Sequence, residues 1–347
     1  MNESLPVQSG LELLLEERLI AWERARKPQE VKMLDSYQDV MRIPRDDDTN
    51  STGTAKSKKA KALFIGSTRN KVRAARAKIN DALFGAGRLP FDTTPTNEKL
   101  AEYSDAVEDI LTEQFDRMGF KPMLKAGVNT LATYGTGFVF GPFVKTATLN
   151  ETDADNSGGF TQLKETKYDF DCPYFELANT LDVYPDPEAR NIEDGLGVFW
   201  ATLESPHVVA AWKNDKRYSN VDAAMLNSGS NVDEGSERAH EMRANVLFWH
   251  KNDRIKVARF FGKVPKSVMT GTPTIGEKDD SSNMVEVIVI MAGGVVVKVD
   301  KSPYGKSPTL RCLYEAVEHE MWGVGVAENN APHQKVICRP LLQHDQP

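Results

Sequence analysis

The amino-acid sequence predicts an α+β protein. Three observations carry this: helical periodicity dominates up to Tyr134, a glycine turn follows at Gly135-Thr136-Gly137, and short β-branched and aromatic runs recur after it. The chain has 347 residues, more than one typical domain of about 100–200, so two or more cores are expected. Hydrophobic residues make up 40% and charged residues 27%, the composition of a folded rather than a disordered chain.

The first helix is expected over Leu11 to Arg26, where leucines recur at helical intervals, Ser9 and Glu12 have capping-box spacing, and Pro28 ends the run. A polar linker with Asp46, Asp47 and Asp48 follows. From Lys56 to Asn80 there is no acidic residue, while Lys56, Lys58, Lys59, Lys61, Arg69, Lys71, Arg73, Arg76 and Lys78 fall within the stretch. At about 100° per residue, Arg69, Arg73 and Arg76 share one side of a helix and Lys71 and Lys78 the other, with Val72, Ala75, Ile79 and Leu83 as an apolar stripe between them. Such flanks suit DNA phosphates or an acidic partner. A solvated helix face accounts for the same pattern.

Gly85, Gly87 and Pro90 break the chain before a second helix, Glu98 to Met118, with Asn97 as N-cap; Gly119 closes it. A third is expected from Pro122 to Tyr134. Strand-like segments then appear at Phe138 to Phe140, Lys167 to Asp171, Tyr174 to Leu177, Leu196 to Leu203, Asn245 to His250, Lys256 to Phe261, Met284 to Met291 and Gly294 to Val299. Gly293-Gly294 between two apolar runs reads as a hairpin turn. Asn150 to Gly159 and Ser219 to Glu237 are rich in Asn, Asp, Ser and Gly and read as loops. By segment, the expectation is an N-terminal helix and linker (1–55), an α+β body (56–218), a flexible loop (219–240), a β-rich region (241–310) and the truncated start of a helical region (311–347).

The formal net charge of −7 is not that of a protein that wraps nucleic acid, so DNA contact is expected to be local or transient. No apolar run approaches the roughly 20 residues of a membrane helix, and the start of the chain lacks a signal peptide's basic and apolar regions, which leads to the expectation of an intracellular protein. Cys172, Cys312 and Cys338 lie far apart without CxxC spacing, which excludes a cysteine-built zinc site and suits buried free thiols.

Catalytic patterns are sparse. The Walker pattern is absent, Gly135-x-Gly137 follows a helix instead of a strand, and His319-Glu320 lacks a second histidine four residues on, so no catalytic residue, metal ligand or cofactor is assigned. Ser205 fits an N-cap for Pro206 to Trp212 better than a nucleophile. Asp182, Asp186, Glu188, Glu193 and Asp194 form an acidic cluster that leaves open a metal-dependent nucleic-acid-processing activity. The surrounding prolines favour a solvated turn.

Four stretches resemble the portal proteins of short-tailed phages. The first is Phe64-Ile65-Gly66-Ser67-Thr68-Arg69 to Phe84 with Leu89-Pro90-Phe91-Asp92, similar to the family's basic helix and Phe-containing turn. The second runs from Lys125-Ala126-Gly127 through Tyr134-Gly135-Thr136-Gly137-Phe138-Val139-Phe140-Gly141-Pro142, similar to a wing helix leading into a turn and a strand ending in Gly-Pro. The third is Asp182-Val183-Tyr184-Pro185-Asp186-Pro187-Glu188-Ala189-Arg190 with Glu193-Asp194-Gly195, and the last Ser302-Pro303-Tyr304 with Trp322-Gly323-Val324-Gly325-Val326-Ala327-Glu328 and Gln334. The resemblance implies a helical wing body with antiparallel β segments, a stem and clip, and a closed ring of about twelve subunits at a capsid vertex. It also implies as partners further copies of the chain, the terminase large subunit, the head-tail adaptor, the capsid or scaffold protein and double-stranded DNA passing through the channel, with the host cytoplasm as the place of assembly. Tyr134, Gly135, Gly137, Gly141 and Pro142 are expected to be structural. The chain departs from the family after Gln334, where Lys335-Val336-Ile337-Cys338-Arg339-Pro340-Leu341-Leu342 stands in place of a long polar helix, and is expected to be C-terminally truncated.

Overall fold

The computed structural model describes residues 9–41, 66–85, 93–95, 97–155, 162–226, 254–270, 283–303 and 305–344. In chain order the elements are helix α1 (Ser9–Met41), α2 (Ser67–Phe84), a 3-10 turn (Glu98–Tyr103), α3 (Ser104–Arg117), α4 (Phe120–Tyr134), strands β1 (Thr136–Asp155), β2 (Gln162–Ala178), β3 (Val183–Pro185) and β4 (Gly197–Glu204). They continue with α5 (Pro206–Ala211), α6 (Val221–Leu226), β5 (Ile255–Pro265), α7 (Lys266–Thr270), β6 (Met284–Ala292), β7 (Val295–Lys301), β8 (Thr309–Leu313) and α8 (Val326–His344). Helix and sheet are mixed, as expected of an α+β chain.

Helix α1 does not stop before Pro28; the proline lies inside it. An internal proline costs on the order of 3 kcal/mol. Tertiary packing overrides that cost, because Leu11, Leu15, Leu19 and Trp22 before the proline and Met33, Leu34 and Val40 after it are all buried, at about 1.5–3 kcal/mol for each fully buried large side chain. Glu12, in the first turn, ties α1 to the sheet: its carboxylate accepts from the Val296 backbone N–H at 3.0 Å. At mid-helix, Arg26 pairs with Glu30 at 3.3 Å, donates to the Val183 carbonyl at 2.8 Å and lies 4.2 Å above the Tyr184 ring.

A five-stranded antiparallel sheet, ordered β3-β4-β5-β6-β7, carries the core. Because side chains alternate along each strand, Phe199, Ala201, Ala258, Phe260, Val287 and Val289 form one face, covered by the first half of α1. Trp22 packs edge-on to Phe199 at 5.1 Å. The opposite face presents Val198, Trp200 and Phe261 to Phe138 and Phe140 of β1, and Ile255, Val257 and Ala292 to α5 and α6. Both faces are thus buried, and strands such as β6 read as near-continuous apolar runs. Gly293 and Gly294 both have positive φ, 57° and 82°, as a two-residue type I′ hairpin turn requires.

The second sheet, ordered β2-β1-β8, contains a long hairpin whose register runs from Phe138↔Ala178 to Asp155↔Gln162, with a bulge between Phe140 and Phe143. The two strand segments expected at 167–171 and 174–177 are one strand. Residues 150–155, read as loop, belong to β1, whose backbone pairing supplies what their side chains do not. Likewise Val221–Leu226, read as loop, is helix α6, held by buried Val221 and Ala224. Strand β8 carried no strand signal recognised in the sequence; Thr136↔Leu313 pairing creates it.

The second half of α1 joins α2, α4 and α8 around Val40, Val72, Ala132 and Ala327. The segment boundaries drawn from composition do not separate cores: β4, before residues 219–240, pairs with β5, after them, and α1 packs on that same sheet. The expected second helix is divided into the 3-10 turn and α3, and α8 runs on through the stretch after Gln334. Cys312 is exposed, not buried. The expected strand Asn245 to His250 lies outside the described residues, as do residues 227–237 of the expected loop.

Candidate functional site

Helix α2 forms because Val72 and Phe84 are buried and Ala75, Ile79 and Leu83 are half-buried beside them, so the stripe expected from periodicity does face inward. Its polar N-terminal end is locked to α8. Gln334 Oε1 accepts from Ser67 Oγ at 2.6 Å and from the Thr68 N–H at 3.3 Å, and Asn330 Nδ2 donates to Thr68 Oγ1 at 2.7 Å. Lys71 donates to Asn330 Oδ1. Lys71, Arg73 and Lys78 are exposed, whereas Arg69 and Arg76 are half-buried. Lys58, Lys59 and Lys61 lie outside the described residues.

The turn after α4 is built by backbone proximity. Gly135 has φ +79°, its N–H caps α4 on the Leu131 carbonyl at 2.9 Å, and its own carbonyl accepts from the Tyr314 N–H at 2.8 Å. Thr136, buried, is the hub: its Oγ1 accepts from the Gly323 N–H at 2.8 Å and its carbonyl accepts from Thr180 Oγ1 at 2.8 Å. Tyr134 sits in a cluster with Met33, Leu34, Leu181, Tyr37 and Trp322. Burial, and next the nearby Tyr37 and Asp182, raise its phenol well above the ordinary tyrosine range. Gly137 lies against Leu131. Gly141 has φ +133° at the bulge, with the Tyr174 carbonyl 2.8 Å from where a Cβ would stand, and is followed by the cis bond to Pro142.

The acidic cluster does not converge. Asp186, buried, accepts from the Glu188 N–H at 3.1 Å through one oxygen and from the Leu196 N–H at 2.8 Å through the other, so it closes the 186–196 turn on itself. Asp182 is buried near Tyr134; Glu193 and Asp194 are exposed. Among the described residues no three His, Cys, Asp or Glu side chains are grouped as a metal would need. Ser205 occupies the N-cap position of α5 without a side-chain cap bond. Among the described residues no helix is long and apolar enough to cross a membrane.

Two features escaped sequence reading. Arg311 Nη1 donates to the carbonyls of Arg190 at 3.0 Å, Glu320 at 3.2 Å and Met321 at 2.9 Å, tying the 186–196 turn to the segment before Trp322; burial lowers its pKa. The second is α3, of which no residue is buried: its Val107 and Ile110, and Tyr103 at its N-cap, are exposed by 46%, 56% and 60%. Their spacing of four and three was the available signal, since a helix with an apolar stripe is normally expected to bury it. No protein-family model and no curated protein sequence matches the chain.

Proposed function

We propose that the chain is a structural subunit of a portal ring, the head-to-tail connector of a tailed phage, and that its surfaces serve assembly rather than covalent chemistry. The observation that carries the reading is the convergence of the four motif stretches. Ser67 and Thr68 of the first meet Gln334 of the fourth; Thr136 of the second meets Gly323 of the fourth; and Val183 and Ala189 of the third share one apolar cluster with Phe138, Phe140 and Trp322. Residues that scatter over the sequence act together as one scaffold.

In this reading the ring stands at a capsid vertex, assembled in the host cytoplasm. It meets the terminase large subunit, the head-tail adaptor and the capsid or scaffold protein, and DNA passes along its channel. The exposed Arg73 and Lys78 of α2 are candidates for DNA or partner contact. The portal reading is preferred to the metal-dependent one because, among the described residues, the acidic side chains from Asp182 to Asp194 do not converge on one point. Mass photometry and negative-stain imaging of the protein test the proposal: closed rings of about twelve subunits are expected, and a stable monomer at micromolar concentration overturns it.

A further inference from the structure

We propose that the exposed face of helix α3 in one subunit seats on the exposed face of helix α2 in the next, joining copies head to tail; this rests on the ring reading, to which it adds the contact surfaces. Among the described residues, helix α3 is mounted from one side. Phe115 stacks on Phe120 at 4.6 Å and reaches Phe175 at 6.3 Å, and Thr93 Oγ1 binds the Ser104 carbonyl at 3.0 Å, leaving the Tyr103, Val107 and Ile110 strip in solvent. Val107 and Ile110 lie about 60° apart on the helical wheel beside Tyr103, the last residue of the 3-10 turn, and exposed Asp109 and Glu113 of α3 with Glu102 of the turn flank one edge of the strip. From Glu98 to Arg117 there are seven acidic residues against Lys99 and Arg117, a net charge of −5.

Helix α2 offers the complement. Its outward face carries exposed Asn70, Ala74 and Ala77 as a shallow trough that ends at exposed Asp81 one turn on, with Arg73 on one side and Lys71 and Lys78 on the other. From Ser67 to Phe84 five basic residues face the single Asp81, a net charge of +4. An apolar ridge with one acidic edge thus faces a small-residue trough with basic borders, and the two are helices of 14 and 18 residues. Among the described residues both helices pack on α4 while these faces stay exposed, and we place the pairing between copies. Two different patches meeting make a heterologous contact, the kind that closes into a ring. DNA lying on α2 leaves the α3 strip uncovered; a neighbouring copy covers both.

The test is a charge swap in the full chain, read by mass photometry and sedimentation at about 50 mM salt. Glu102→Lys with Asp109→Lys, or Arg73→Glu with Lys78→Glu, is each expected to raise the dissociation constant about tenfold or more, because every interface then opposes like charges. Combining all four in one chain, or mixing the two reversed proteins, is expected to restore assembly. Ile110→Asp tests the apolar strip; the far-ultraviolet circular dichroism of every variant is expected to match wild type because the altered side chains are exposed in the subunit. If wild type assembles and the reversals leave it unchanged, this interface is wrong while the ring reading stands. If wild type remains a monomer, the ring reading fails and takes the interface with it. If the basic reversal abolishes DNA retention and leaves assembly intact, α2 faces nucleic acid and the proposal is overturned.

Discussion

Gly135 and Gly323 meet backbone to backbone: a Cβ at Gly135 would stand 2.3 Å from the Gly323 carbonyl oxygen, and Gly135 already holds φ at +79°. Gly135→Ala therefore combines left-handed strain of about 1–2 kcal/mol with a clash against backbone that has no side chain to yield. A loss of roughly 2–4 kcal/mol is expected in urea unfolding. A variant within about 0.5 kcal/mol of wild type would show that this contact does not constrain the fold.

Thr136 joins the same two segments through its side chain. Thr136→Val removes the oxygen that accepts from the buried Gly323 N–H and leaves that donor unpaired, which costs about 1–3 kcal/mol; Thr136→Ser keeps the acceptor and is expected to lose less. The comparison of the two variants by chemical denaturation separates the hydrogen bond from the methyl group.

Arg26 and Glu30 form a buried pair inside α1, with side chains 2% and 7% exposed. Arg26→Met removes the closer of two cations beside the buried Glu30 carboxylate, leaving the largely exposed Lys27 at 3.7 Å, and is expected to destabilise by up to about 3–5 kcal/mol, whereas Arg26→Met with Glu30→Leu removes the buried pair together and costs less. If the double variant is no more stable than the single one, the electrostatic account fails.

Burial and the neighbouring Tyr37 and Asp182 hold the Tyr134 phenol protonated in the folded chain above the ordinary value of 10.0. The folded state then binds more protons than the unfolded state, so this contribution is fully present below about pH 10 and is lost as pH rises beyond it, at up to about 1.4 kcal/mol per pH unit. Tyr134→Phe is expected to flatten that part of an alkaline stability profile. An unchanged slope would mean that Tyr134 titrates in the folded state as it does when unfolded.

Local chemistry made several elements legible in advance. The stripe of Val72, Ala75, Ile79 and Leu83 identified α2, and Gly293-Gly294 identified the β6–β7 turn, because three- and four-residue spacing and paired glycines act over one or two turns of chain. Pro28 misled for the same reason: read locally it ends a helix, yet α1 continues because a sheet and a helical cluster hold its two halves. The Tyr103, Val107 and Ile110 strip was legible as periodicity but not as exposed surface, since exposure depends on what packs nearby.

By itself the sequence determined the α+β class, the change from helical to strand periodicity at Tyr134 and the sign of charge on α2, all properties of side chains close together in the chain. Only tertiary structure decided that Asp186 closes a turn, that β8 is a strand, and that Thr136 meets Gly323 across 187 residues. The physical reason is that a hydrogen bond or a steric approach at that separation leaves no periodic trace in either segment; it exists only once both are folded against the same core.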